Sequence, residues 1–193
     1  MRLSRLTAAS LSVLLIAACG QPVEPASAPA EPAAPAAPAA PQPPAMVLTP
    51  AGLGPVAIGM TEAQVRAAVG ADRIEGDTGS DFDTCKEMQL KGDLAGTWVM
   101  FEDGKVTRVS IGEGSTVKTD KGLGLGATAD QVRAAYGAAV KAEPHKYEGP
   151  PAEYLTIWAV PDKSGVQYET NEQRVVKTIH AGGPSILYIE GCA

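Results

Sequence analysis

The sequence predicts an α+β fold: two tandem repeats, each a short helix followed by an antiparallel meander, with the helices packed on one face of an antiparallel sheet. Three observations predict it. The stretch 58–70 recurs as 125–137 at a constant offset of 67 residues, with 8 of 13 positions identical. Each copy carries the marks of a capped helix: Thr61 and Thr128 as N-caps, Gln64 and Gln131 three residues on, and Gly70 and Gly137 after the last turn. Each copy is followed by short β-rich runs, and Val106-x-x-Val109-x-Ile111-Gly112 is echoed by Val176-x-x-Ile179-x-Ala181-Gly182. An internal repeat fixes the architecture before any single motif does. One helix cannot cover both faces of a sheet, so both helices are expected on one face, leaving the other open.

Taken in order, the chain begins with residues 1–18, which read as a secretory signal: Arg2 and Arg5 precede an apolar run too short to span a bilayer. The run ends in Ile16-Ala17-Ala18-Cys19, which resembles the bacterial lipobox. That resemblance implies cleavage before Cys19 and diacylglyceryl attachment to its sulfur, an anchor that several acyl chains make stable. Gly20 stands where an inner-membrane retention signal would place Asp, which in a Gram-negative host points to the outer membrane, facing the periplasm. Residues 19–46 comprise the lipidated Cys19 and a linker whose last 26 residues hold nine prolines and ten alanines. Such a composition favours extended polyproline II, about 3.1 Å per residue, and a spacer role.

Residues 47–120 form repeat one and 121–193 repeat two. In repeat one a helix is expected over 61–69, with Val65, Ala68 and Val69 on its inner face and Met60 stapled to Val65. Residues 71–80 read as a loop. Strands follow over 84–90, 98–102 and 105–111, the last two joined by Asp103-Gly104, a type I′ hairpin signal. In repeat two a helix over 128–136 is followed by a loop over 141–151. Strands are expected over 154–160, 166–170, 174–181 and, in closing, 186–189. Period two places Val99, Phe101, Val109, Ile111, Leu155 and Ile157 toward the helices.

Three cysteines are an odd number for an exported chain. Assigning Cys19 to lipid leaves Cys85 and Cys192 as a pair in an oxidising compartment, and a disulfide is expected. The other use, a metal pair with His145 or His180, lacks close ligand spacing. Removing the two signal arginines leaves 14 basic against 22 acidic residues, a net near −8, which argues against nucleic acid and anionic headgroups as partners.

Catalytic chemistry finds little material. The G-x-S-x-G, H-E-x-x-H and phosphate-loop patterns are missing from the sequence. The run Gly122-Leu123-Gly124-Leu125-Gly126 lacks dinucleotide spacing and opens a helix, as its counterpart in repeat one does. Neither catalytic residues, metal ligands nor a cofactor are therefore expected. A binding surface fits better. If the apolar residues above face the helices, parity sends Trp98, Met100, Arg108, Tyr154, Trp158 and His180 to the open face. His145 and Tyr147 lie in the loop just before that strand and could rim a site. Aromatics with an arginine suit a protein hot spot, and aromatics with polar neighbours suit a sugar ring.

The doubled pattern I-G-M-T-x-x-Q-V-x-x-x-x-G followed by a meander resembles the β-lactamase-inhibitory-protein-like fold and the single-repeat SmpA/OmlA (BamE-like) lipoproteins. Pro144-His145-Lys146-Tyr147, Tyr154-Leu155 and the ending Tyr188-Ile189-Glu190-Gly191-Cys192 resemble proteobacterial lipoproteins, some named "lectin". The resemblance implies a lipid-anchored envelope protein binding a protein or an envelope glycan through an aromatic sheet, with a lectin or an inhibitor of a secreted hydrolase such as a β-lactamase as alternatives.

The first part of this reading has a direct check. Metabolic labelling with a clickable fatty acid should tag the exported chain, and Cys19→Ala should abolish the tag. A tag that survives the substitution overturns the anchor.

Overall fold

A computed structural model describes residues 46–78 and 84–192. The expected signal, the lipidated Cys19 and nearly all of the linker lie outside these residues. Among the described residues there are twelve strands: β1 (Val47–Thr49), β2 (Gly52–Leu53), β3 (Val56–Ala57), β4 (Ile74–Thr78), β5 (Cys85–Leu90), β6 (Thr97–Glu102), β7 (Lys105–Ile111), β8 (Lys118–Thr119), β9 (Lys141–Pro144), β10 (Glu153–Val160), β11 (Ser164–Thr170) and β12 (Val176–Gly182). Two helices, α1 (Glu62–Val69) and α2 (Ala129–Tyr136), are eight residues each. The strands make two sheets. The larger is antiparallel with order β4-β5-β6-β7-β12-β11-β10-β9; the smaller has order β3-β2-β1-β8, parallel only at β1–β8.

This corrects the predicted fold class. The chain is mostly sheet, in two layers, rather than two helix-plus-meander repeats whose helices cover one sheet. The physical reason is size. An eight-residue helix is about 12 Å long, whereas eight strands span roughly 35–40 Å. Each helix buries only two side chains, Val65 and Val69 in one, Ala129 and Val132 in the other. Leu48, Leu53 and Val56 of the small sheet supply further cover, and they join Val99, Phe101, Val109, Ile111, Leu155, Ile179 and both helices in one core. Strands of two or three residues show no readable period, so the sequence reading passed over them.

The helices begin where the sequence says they should. Thr61 Oγ1 accepts from the Gln64 amide at 3.3 Å while Gln64 Oε1 accepts from the Thr61 amide at 2.8 Å. Thr128 and Gln131 repeat this at 3.2 and 2.8 Å. The Asp103-Gly104 hairpin has positive φ at both positions, 48° and 72°, as a type I′ turn requires. Three local expectations fail. Residues 71–80 and 141–151 contain edge strands β4 and β9, and 186–189 is no strand: a 3-10 turn, Pro184–Leu187, leads into the tail.

The apolar parity holds for the core. Val99, Phe101, Val109, Ile111, Leu155 and Ile157 are all buried. The same alternation lays Trp98, Ser110, His180, Gln167 and Thr156 side by side across β6, β7, β12, β11 and β10 on the second face. The neighbouring row runs Glu87, Met100, Arg108, Gly182, Gly165, Trp158.

If the small sheet is integral to the core, Leu48→Ala should cost about 2–5 kcal/mol in urea unfolding, as core truncations do. A loss under about 1 kcal/mol would show that the small sheet is peripheral.

Candidate functional site

The second face is not open. The segment 183–192, here called the strap, leaves the end of β12 and crosses it. The Gly183 amide donates to Thr107 O at 2.9 Å, Ile186 is completely buried, and Cys192 is joined to Cys85 of β5, with Cα atoms 5.5 Å apart. The disulfide closes a sequence separation of 107 residues. Met100, Tyr154, Ile186 and Cys192 are buried without belonging to the main core.

Arg108 holds the strap down. Its Nη1 donates to the carbonyls of Ser185 (3.1 Å) and Tyr188 (2.8 Å), and its Nη2 to Glu87 Oε1 at 2.9 Å. The guanidinium side chain is only 4% exposed. Burial at that level demands partners, because an unpaired buried charge costs about 3–5 kcal/mol. Its Nε and the Ser185 hydroxyl nevertheless have no hydrogen-bond partner among the described residues.

Beside it lies a hydrogen-bonded array. Ser110 Oγ is 2.7 Å from His180 Nδ1, and His180 Nε2 is 3.1 Å from Glu169 Oε1. An ionised carboxylate can only accept, so the ring proton is assigned to Nε2 and Nδ1 accepts from the serine. Burial pushes the His180 pKa down and the Arg108 charge adds to this, against the Glu169 hydrogen bond. Glu169 is held below the usual carboxylate range: burial works against this, while the His180 hydrogen bond and the Arg108 charge outweigh burial. The residue types are those of a nucleophile–base–acid relay. Ser110 and His180 are 5% and 7% exposed, however, and their hydrogen bonds tie β7, β12 and β11 together. We read the array as structural.

The residues predicted to form one site therefore scatter. Arg108 and His180 are buried under or beside the strap, and Tyr154 is buried with His145 stacked on it, centroids 4.5 Å apart at 20°. Trp98 and Trp158 are half-buried and stand on β6 and β10, four strand spacings apart, or about 19 Å. They do not form one aromatic platform. Tyr147 is 63% exposed and its hydroxyl donates to Glu190 of the strap. Arg133 forks onto Glu153 at 2.8 and 2.6 Å and ties α2 to β10.

What gathers instead is the outer side of the strap. Leu187, Tyr188 and Ile189 are 46%, 44% and 43% exposed. With Tyr147, Glu102 and Glu190 they border a cleft of about 550 Å³ whose wall includes both half-cystines. The Glu190 hydrogen bond raises the Tyr147 hydroxyl pKa, and the charge of Glu102 raises that of Tyr188, so both phenols stay neutral. A smaller hollow of about 180 Å³ continues past Leu187 and Ile189 to Tyr154 and Gln167. Sequence reasoning assigned 186–189 to a closing strand and did not place 187–189 on the outer side of a segment that crosses the sheet. The one local signal was Gly182-Gly183-Pro184, which ends a strand rather than starting one. Among the described residues no three His, Cys, Asp or Glu stand together as metal ligands. Comparison of the chain with family models, curated proteins and solved structures finds no match.

The buried histidine predicts acid sensitivity. The unfolded chain protonates His180 near 6.5, while the folded chain, its pKa depressed, does not. The unfolded state therefore binds more protons below pH 6.5, and stability falls there by up to about 1.4 kcal/mol per pH unit until the folded pKa is reached. Arg108, Glu169 and Glu87 are the charged groups that face the ring, and Glu169 adds its own loss at lower pH. Urea unfolding between pH 7.5 and 5.5 should show a shallower dependence for His180→Gln than for wild type. Equal slopes would remove His180 as the cause.

Proposed function

We propose that this protein is a lipid-anchored, non-catalytic binding protein of the cell envelope, outer membrane in a Gram-negative host, whose ligand is another protein. The observation that carries the reading is the exposed apolar run Leu187-Tyr188-Ile189, held beside Tyr147 over the cleft. Three consecutive large apolar residues at that exposure cost solvation unless something covers them, and a grouped patch marks an interaction site more than scattered ones do. Tyrosine and aliphatic side chains on a rigid support are what protein contacts use, since little side-chain entropy is left to lose. The disulfide and Arg108 supply that support. The lipobox-like Cys19 and the proline-rich linker support the envelope address. A protein ligand is favoured over a glycan because the exposed run joins its tyrosine to the aliphatic Leu187 and Ile189, and the tryptophans add no open ring beside it. Trp98 and Trp158 are half-buried, and one face of Tyr154 is taken by His145.

The contact surface thus moves from the sheet to the strap's outer side and the 145–147 loop. In cells, a photoreactive residue at position 147 should give light-dependent adducts with protein. Ile189→Asp should reduce them at least tenfold, while a photoreactive residue at 98 should give none. Adducts that form at 98 or 158 instead, or that vanish on glycosidase treatment, would return the site to the sheet or to a saccharide.

A further inference from the structure

We propose that the hollow beneath the strap is itself a peptide-binding site, filled in cis by residues 183–191 and opened to a turn-forming peptide with one aliphatic anchor in trans when the Cys85–Cys192 disulfide is reduced. This goes beyond the outward-facing contact surface, because it concerns the opposite side of the same segment, and opening would carry that surface away from the sheet.

The hollow is built into the sheet. Gly165 and Gly182 are cross-strand neighbours, between Arg108 on one side and Trp158 on the other. A Cβ on Gly165 would come within 2.6 Å of Ile157 O, 2.9 Å of the Trp158 ring and 3.3 Å of Ile186 Cδ1. Glycine there leaves the space that Ile186 fills. The occupant is gripped mainly through its main chain: Arg108 takes two carbonyls, those of Ser185 and Tyr188, and asks nothing of their side chains. The 3-10 turn Pro184–Leu187 brings both carbonyls onto one nitrogen, so the site suits a peptide that turns about a single aliphatic anchor. The strap also leaves one donor of the site unused, since Arg108 Nε is buried without a partner among the described residues. It fits the site without exhausting it.

The latch is reached from the side of Cys85, which is partly exposed, whereas Cys192 is buried. Both half-cystines line the cleft of about 550 Å³. A thiolate of a dithiol reductant attacks one sulfur, the disulfide bond breaks, and a mixed disulfide forms. The reductant's second thiol then closes its own disulfide. Two electrons and two protons pass to the protein, leaving free thiols on Cys85 and Cys192. While both ends are fixed, the strap has no free end and a second peptide cannot enter. With the far end released, the strap is a singly tethered competitor at an effective concentration on the order of millimolar, which a partner can exceed in affinity. Departure takes the Ser185 and Tyr188 carbonyls from Arg108, so the incoming peptide must supply acceptors in their place.

The test uses the full-length chain and a fluorescein-labelled peptide with the sequence of residues 183–191. Fluorescence anisotropy should show binding at least tenfold tighter to a variant carrying Ile186→Ser and Cys192→Ser than to disulfide-intact wild type. Serine in place of the probe's residue corresponding to Ile186 should abolish it. Wild type should gain probe binding in dithiothreitol. Equal binding to variant and wild type, with matching far-UV circular dichroism, overturns the site. Binding to the variant without any gain on reducing the wild type overturns the redox opening. If the variant does not fold, the reduced wild type decides alone: no gain there overturns the proposal.

Discussion

A buried guanidinium organises one half of this molecule. Arg108 lies in the middle of an eight-stranded sheet, 4% exposed, and such a charge must be met by acceptors. Glu87 on β5 supplies one, and two carbonyls of the strap supply the rest. That requirement draws the C-terminal segment across the sheet. Cys192 then reaches Cys85, and Ile186 drops into the space above Gly165. An arginine that the sequence offers as a ligand contact is satisfied by the chain's own backbone.

The two faces of the sheet are covered by different means. One face is roofed by apolar contacts from two short helices and a small sheet, which together enclose a single core. The other is roofed by one segment, with one fully buried aliphatic side chain, two carbonyls that accept from Arg108 and a covalent tie. Hydrophobic burial is non-directional and tolerates many arrangements. The polar cover is specific, because a carbonyl displaced from Arg108 leaves a charge unmet. This asymmetry fits a face that is built as scaffold on one side and carries recognition on the other.

Local signals were the legible part. The capping boxes at Thr61 and Thr128, the Asp103-Gly104 hairpin and the burial of Val99, Phe101, Val109 and Ile111 depend on neighbours within a few residues or on strict alternation. The site was only half legible. Parity correctly put Trp98, Arg108 and His180 on the second face, yet it could not say what else lies there. Alternation assigns a side to a residue and is silent on whether a segment some eighty residues away, such as 185–188 against Arg108, returns to cover it. The β1, β2, β3 and β8 strands escaped for a related reason: two or three residues carry no period, and their pairing is decided across the sequence rather than along it.

What the sequence determined by itself is the doubled pattern, the positions of both helices, the inward faces of β6, β7 and β10 and the Cys85–Cys192 pairing, all set by short-range geometry or by counting. What only the tertiary structure decided is coverage. A helix of eight residues is too small to roof eight strands, so a second sheet joins it. A buried arginine needs oxygen partners, so the strap closes the other face and turns Leu187, Tyr188 and Ile189 outward. Both outcomes follow from areas and charges summed over distant residues, quantities that no local window of the chain contains.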